Sequence, residues 1–523
     1  MLKILIFIGF LIPVPLYSQT RLSPSERRGK QIYLRGTSPS GGEITALFNE
    51  IEVPASTVTC AGCHGMRGEG KTESGVTAGD LTWPNLVKPY GHTHTTGRKH
   101  GPFNESSLTR AVVNGVDSDG NALLVAMPRF KLSAEDMADL IAYVKRLDSD
   151  LDPGLTDGSI RIGLLLPSTG ALADVSAAMK DVFTAYFDDI NSRGGIFSRK
   201  IEFLFADAGA GGGAIATTAQ SFAEKEQIFA FVGGMSAGAE TQIARLARDE
   251  EIPFIGPSTL LPGADTPVNR YVFYLLPGVA EQAVSLVNFA AARSELQTSK
   301  LAIVYSDNSL ATAAAAAAEQ QAKKIGREVT IKQVFTSIDF DARRIVEKLK
   351  SKGVDAVFFF GMNKEQSSLL SELLSEAAAP GWSPRLFLLG AFSGKELPAS
   401  IPTMKDKIFL AFPTLPADIT QEGVNEFRAL HEKYQFAPGH TASQLAAFAA
   451  AKVFVEGLTR AGKDLSREKL ITTLEGFYEY DTGATPRISF GPNRRIGAAG
   501  AHVLPLELAA TEFATASGWV KAY

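Results

Sequence analysis

Cys60-Ala61-Gly62-Cys63-His64 holds the only two cysteines of this 523-residue chain. Two thiols one helical turn apart, followed at once by an imidazole, make the pattern C-x-x-C-H, which attaches haem c. The thiols bond to the two vinyl groups of a haem, and the imidazole comes to lie under the iron. A redox dithiol or half of a zinc site is the rival reading. Zinc needs two further ligands, and no second cysteine pair exists. One covalently bound haem c is therefore expected at Cys60 and Cys63, with His64 as an axial ligand.

Upstream of the motif, Met1-Leu2-Lys3 leads into an apolar run from Ile4 to Ile12, broken by Pro13 and Pro15 and followed by Ser18. One positive charge, a short apolar core and a small residue are the layout of a secretory signal peptide. The run is shorter than the roughly 20 apolar residues that span a bilayer, so an uncleaved anchor is the weaker reading. Residues 1–18 are expected as the signal, and the periplasm as the location. The net charge of −4 gives no reason to expect nucleic acid as a partner.

Around the motif, residues 19–147 are rich in loops but bounded by two helices. Ser23-Pro24-Ser25-Glu26 supplies a cap, a first-turn proline and a reciprocal glutamate for the first, which runs through Gly29 and Tyr33. Ser133-Ala134-Glu135-Asp136 opens the second, whose Met137, Leu140, Ile141, Val144 and Leu147 share one face. The sixth iron ligand is expected at Met127, in Ala126-Met127-Pro128 just before that helix; Met/His ligation raises a haem potential. Met66 is too close to His64 to reach the opposite face, and Met137 belongs to the core stripe. His92, His94 and His100 form the alternative, bis-His set, or else are loop residues that contact a propionate. With these pieces in place, residues 23–147 resemble a class I cytochrome c. The resemblance implies an all-α domain whose terminal helices cross at the small Gly29, and an electron carrier. The stretch between His64 and Met127, with Trp83-Pro84-Asn85-Leu86, looks like an insertion.

Asp148 to Gly158 is acidic, contains Pro153 and Gly154, and reads as a linker. Beyond it, residues 159–523 alternate apolar strands with amphipathic helices: Ile160–Leu166, Ile201–Phe205, Ile228–Val232, Pro253–Ile255, Leu301–Tyr305, Ala356–Phe360 and Leu386–Leu389 are the expected strands. Apolar strands between helices argue for parallel sheets covered on both faces, with ligands beyond the carboxyl ends of the strands. Gly234-Met235-Ser236-Ala237-Gly238 matches G-x-S-x-G between a strand and a helix, so a serine hydrolase using Ser236 with one of His431, His440 or His502 is an alternative. No HGGG-like loop precedes it, and His431 lies in a charged helical stretch.

Four segments, in order, carry a second resemblance: Ile162–Gly170, Asp189–Ile196, Phe231–Gly234 with Ser236, and Ile252–Ser258. Together with Ala302–Asp307 they resemble type I periplasmic binding proteins of the branched-chain amino acid receptor kind. That resemblance implies two α/β lobes, with hinge crossings near residues 276 and 409. It implies ligand contacts from Ser168, Thr169, Ser236, Ala237, Ser258 and Thr259, and from Tyr305 and Asp307 in the second lobe. Hydroxyls and N–H groups at helix starts suit a carboxylate, although each Ser or Thr can simply cap its helix. No buried acid for an α-ammonium is evident in the sequence. The expected fold is thus multidomain: an all-α cytochrome c followed by a two-lobed α/β receptor with parallel sheets. The expected function is electron transfer fused to small-molecule reception, in a periplasmic oxidation pathway or in solute uptake. A periplasmic dehydrogenase or another cytochrome would be the redox partner, or an ABC permease the transport partner. A haem peroxidase would instead need an open iron position.

Overall fold

The structure, a computed structural model, describes residues 22–48, 51–73, 75–94, 96–209, 212–236, 238–263, 268–296, 299–377, 382–393, 406–437, 439–506 and 518–523. The signal segment 1–18 and Ala237 lie outside these residues. The chain divides into two units, which meet between Pro153 and Gly154.

In the first unit the elements follow as α1 (Pro24–Arg35), β1 (Thr45–Phe48), β2 (Ile51–Pro54), α2 (Cys60–His64), β3 (Thr72–Glu73), β4 (Val76–Thr77), α3 (Trp83–Leu86), β5 (His92–Thr93), β6 (Lys99–His100), α4 (Glu105–Asn114), β7 (Arg129–Lys131) and α5 (Ala134–Val144). Ser23 caps α1 through its hydroxyl, and Glu26 answers by accepting from the Ser23 N–H at 2.6 Å. The helices α1 and α5 cross where Gly29 lets the backbones touch: a Cβ on Gly29 would lie 2.0 Å from the Asp139 carbonyl oxygen. The Asp139 carboxylate then ties the crossing from its other side, accepting from Arg28 at 2.6 and 2.8 Å and from Ser25 at 2.5 Å. The expected stripe of α5 is buried, with Leu140 and Val144 at 4% exposure.

The unit is not purely helical, as the sequence reading had it. Strands β1, β2 and β7 form a three-stranded antiparallel sheet in which buried Ala46 lies opposite buried Phe130. These strands are only three or four residues long, too short for a period-two pattern to stand out.

Asp148 to Gly158, read as a linker, is held on both sides of the division. Tyr143 donates to Asp150 at 3.0 Å, Lys30 pairs with Asp150 at 2.8 Å, and Arg67 donates to the Asp148 carbonyl at 2.7 Å. On the far side Leu155 is buried, and Arg161 N–H donates to the Gly154 carbonyl at 2.7 Å.

The second unit has two lobes. The first runs β8 (Ser159–Leu166), α6 (Ala173–Ser192), β9 (Lys200–Asp207), α7 (Gly212–Glu226), β10 (Ala230–Val232), α8 (Glu240–Asp249), β11 (Phe254–Ile255) and β12 (Val272–Phe273). Its five strands are all parallel, in the order β12-β11-β10-β8-β9. The second lobe runs α9 (Val279–Ala291), β13 (Leu301–Ser306), α10 (Ser309–Lys324), β14 (Val329–Phe335), α11 (Ala342–Ser351), β15 (Ala356–Phe360), α12 (Asn363–Ala377), β16 (Arg385–Leu389) and β17 (Ile408–Phe412). After α13 (Gln421–Tyr434), α14 (Thr441–Ala461) and α15 (Arg467–Glu475), it gains β18 (Gly500–Pro505) and β19 (Trp519–Lys521). The sheet order is β14-β13-β15-β16-β17-β18-β19, and the last two strands add antiparallel. Strand β15 shows why these runs are continuously apolar. Ala356, Phe358 and Phe360 enter one buried cluster, and Val357 and Phe359 enter the cluster on the opposite face.

The chain leaves the first sheet after Phe273. The second crossing, expected near 409, comes later: Ile408–Phe412 is a full strand of the second sheet, paired with β16 and β18. The chain crosses only beyond Phe412, to place α14 on α6 and on β10 and β11 of the first lobe. It then returns through residues 495–498, hydrogen-bonded to the outgoing segment by Tyr274 N–H to Arg495 O at 2.8 Å and Ala498 N–H to Leu275 O at 2.9 Å.

Candidate functional site

Thr59 caps the one-and-a-half turns of α2 by accepting from Gly62 N–H at 3.2 Å, which places Cys60, Cys63 and His64 on one short helix. Neither cysteine is in a disulfide. His64 is buried, and its Nδ1 lies 2.7 Å from the Gly79 carbonyl. A carbonyl only accepts, so Nδ1 carries the proton and Nε2 keeps its lone pair. Burial lowers the proton affinity of this imidazole, with the Gly79 carbonyl acting the other way, so the ring is neutral as a metal ligand must be. Tyr33 donates to the Gly65 carbonyl at 2.8 Å and pins the end of α2 to α1. These groups face a cavity of about 1450 Å³ whose wall also includes Leu86, Phe103, Leu108, Phe130 and Leu140. A mostly apolar chamber with two thiols and the His64 imidazole side by side on its wall fits a flat, covalently anchored porphyrin.

Met127 lines the same cavity, and so do His92, His94 and His100. The structure treats the two candidate sets differently. His94 Nε2 accepts from Arg98 at 2.7 Å and lies 3.1 Å from His100 Nε2, while His100 Nδ1 lies 2.7 Å from the Gly101 carbonyl. His94 Nε2 and His100 Nδ1 are therefore engaged within the loop. Burial, then the charge of Arg98, pushes the His94 pKa down to about 4, so it stays a neutral acceptor. Arg98 is anchored in turn by Asp117, which is fully buried. Burial opposes the Asp117 charge, but hydrogen bonds from Asn121, Arg98 and Asp119 outweigh it and hold the carboxyl below its usual range. Met137 also lines the cavity, from the buried stripe of α5. The sequence reading missed Gly79 and the Arg98–Asp117 anchor, neither of which leaves a local signal in the sequence.

In the second unit the expected ligand residues gather at the carboxyl ends of parallel strands. Ser168 and Thr169 follow β8 and are exposed. The Ser168 hydroxyl donates to Asp207 at the end of β9, and its N–H donates to the same carboxylate at 3.0 Å. Ser258 and Thr259 follow β11, and Thr259 donates to Glu240 at 2.6 Å. Ser236, after β10, is 2% exposed, and its N–H donates to the Ser258 carbonyl at 3.2 Å. Its hydroxyl has no hydrogen-bond partner among the described residues. That leaves it without the imidazole a hydrolase requires. His431 instead packs edge-on against Phe436, His440 stands at the start of α14 without a side-chain capping bond, and His502 binds Asp418 at 2.9 Å. In the second lobe, Tyr305 is half-buried against the core and Asp307 is exposed just past β13. The acids Asp207 and Glu240 were not foreseen; nothing in the sequence ties them to Ser168 and Thr259, which lie 39 and 19 residues away.

Residues 46–148 match the cytochrome c family, and residues 159–506 match the periplasmic binding protein family. Among curated relatives, Leu/Ile/Val-binding protein homolog 8 of Brucella abortus is 25% identical over 358 residues, covering 64% of this chain and 85% of that protein. Leu/Ile/Val-binding protein homolog 7 of Brucella suis is 26% identical over 322 residues, covering 58% and 77%. A fatty acid ABC transporter substrate-binding protein from Thermomonospora curvata has the same fold at 20% identity and a TM-score of 0.51, over 71% of this chain and 95% of its own. No helix among the described residues is long and apolar enough to cross a membrane. The chain belongs to the periplasmic binding protein family and carries, ahead of that receptor, a cytochrome c domain with covalently bound haem c.

Proposed function

We propose that the protein is a periplasmic electron carrier fused to a receptor for a small carboxylate-bearing molecule, and that it serves a periplasmic oxidation pathway. Cys60 and Cys63 would hold the haem covalently, and His64 and Met127 would supply ligands to its iron. The haem supplies a one-electron couple. Around it the chain keeps water out with an apolar wall and orients His64 through Gly79. The observation that carries this reading is that Cys60, Cys63, His64 and Met127 all face one cavity. In the receptor, Ser236 offers a buried hydroxyl without a partner among the described residues, beyond a strand end where a ligand oxygen can meet it. A periplasmic dehydrogenase or another cytochrome is the electron partner. A second reading, uptake through an ABC permease with the haem accessory, is favoured by the names of the Leu/Ile/Val-binding relatives.

The first test is haem attachment. Full-length protein matured in the periplasm keeps its haem through denaturing electrophoresis, and the Cys60→Ser, Cys63→Ser double variant does not. Haem lost from the unaltered protein on denaturation refutes covalent attachment. Mass spectrometry of small molecules released from the purified full chain tests the receptor half. An oxidisable acid supports the oxidation pathway, and a branched-chain amino acid supports uptake.

A further inference from the structure

Arg129 opens β7, two residues beyond Met127. Its guanidinium donates to the Met127 carbonyl, and its Nη2 also reaches the carbonyls of Leu123 at 3.1 Å and Leu124 at 3.4 Å. One planar fork thus gathers three carbonyls of a single loop. That loop has little else to fix it: Met127 N–H donates to the Leu124 carbonyl at 3.0 Å, and Leu123 N–H to the Gly115 carbonyl at 2.8 Å. Leu123, Leu124, Ala126 and Met127 all line the cavity, so the loop is a wall of the haem site rather than a distant turn.

The Arg129 side chain is half-buried, and its guanidinium is spent on these carbonyls. Space for it exists because α4 ends on Gly115 in the left-handed conformation, at φ 68°. A Cβ at Gly115 would lie 1.7 Å from Arg129 Nε and 2.0 Å from Cζ. The Arg129 side chain lies against that bare glycine, and both residues point to one purpose.

We propose that Arg129 is a positioning residue: its guanidinium clamps the 123–127 loop so that the Met127 thioether stays on the haem iron. The proposal rests on the reading of Met127 as the axial ligand. Only a fork with several donors in one plane can hold carbonyls that face it from one side, so lysine is a poor replacement. With the clamp gone, the loop opens, the Met127–iron bond is broken part of the time, and outside ligands compete for the sixth position.

The test uses the full-length holoprotein with Arg129→Gln, Arg129→Lys, Gly115→Ala and Met127→Ala. The ferric protein is read by its near-infrared Met–iron band and by its affinity for imidazole, well below the unfolding temperature of each variant. Arg129→Gln is expected to weaken the band and to tighten imidazole binding about tenfold, the scale of one lost charged hydrogen bond. Arg129→Lys is expected to fall between Gln and the unaltered protein. Gly115→Ala, which leaves Arg129 in the chain but displaces it, is expected to reproduce the Gln phenotype. In a Met127→Ala background, Arg129→Gln adds nothing further to imidazole affinity. An unchanged band and imidazole affinity in Arg129→Gln, with only a lowered unfolding temperature, overturns the clamp while leaving Met127 as ligand. A band that survives Met127→Ala overturns the Met127 reading and the clamp with it.

Discussion

Gly29→Ala is the smallest change expected to damage the cytochrome unit. In the middle of an exposed helix this replacement stabilises by about 1 kcal/mol, because alanine loses less backbone entropy. Here the new methyl would stand 2.0 Å from the Asp139 carbonyl oxygen, 2.6 Å from its carbon and 2.7 Å from Tyr143 Cβ. Ordinary contact needs about 3.4 Å, so α1 and α5 must part by more than 1 Å. The easy escape, moving the Asp139 turn away, is resisted by α1 itself, because Arg28 and Ser25 hold the Asp139 carboxylate at 2.5–2.8 Å. Overpacking against backbone falls at the upper end of its usual range, about 3 kcal/mol. Subtracting the propensity gain leaves a net loss of about 2 kcal/mol. For a unit of this size that is a fall of roughly 8 °C in melting temperature. A thermal scan followed at the haem absorbance reads this unit alone, and the receptor transition in the same sample should not move. A Gly29→Ala protein that melts at or above the unaltered one refutes the close crossing.

Met127→His is expected to lower the haem potential, since imidazole donates more electron density to ferric iron than a thioether does; an unchanged potential and spectrum would move the ligand to the His92–His100 loop. Ser236→Ala should weaken ligand binding by about 1 kcal/mol, roughly fivefold, the cost of one hydrogen bond. Ester hydrolysis that disappears in the same variant would restore the hydrolase reading. Glu281→Gln tests a buried acid that burial pushes above the ordinary carboxylate range, despite hydrogen bonds from the Gly278 N–H and the Tyr523 hydroxyl. An acid with a raised folded pKa binds more protons folded than unfolded, so its contribution falls as pH rises from about 4.3, the unfolded value, through the folded one. The gain in receptor melting temperature from Glu281→Gln should therefore be larger at pH 7 than at pH 4, and an equal effect at both would refute the assignment.

The haem motif was legible because covalent attachment needs fixed residue types at fixed spacing, and α1 and α5 because their caps and stripes are local. The apolar strands were legible because burial on both faces leaves a continuous run, as in Ala356–Phe360. What escaped was set by contacts far apart in sequence. Strand β1 pairs with β7 across more than 80 residues, and its four residues carry too little pattern to announce it. The crossing expected near 409 was displaced because Ile408–Phe412 reads equally as a hinge strand or as a sheet strand. Only its pairing with residues 502–505 decides between them. Among the ligand candidates, Ser168, Ser236 and Thr259 look alike in sequence. The structure separates them by whether an acid from another loop already accepts the hydroxyl proton.

That separation shows how differently the two halves of the chain treat what they bind. Haem c is fixed by bonds, so the cytochrome unit needs no affinity to retain it, and its wall can be apolar. A few polar groups then suffice for orientation: Gly79 for the His64 ring, and Arg129, as proposed, for the Met127 loop. A receptor's ligand must leave again, so its polar groups have to be satisfied in the empty state as well. Asp207 and Glu240 do this for Ser168 and Thr259, at the cost of placing negative charge at two strand ends. A carboxylate approaching either end meets an acid that already accepts the local hydroxyl proton. Ser236 lies between those ends, in the turn after β10, buried and with its hydroxyl uncommitted among the described residues. Electrostatics therefore favours a ligand that puts its oxygens at Ser236 and keeps them away from Asp207 and Glu240.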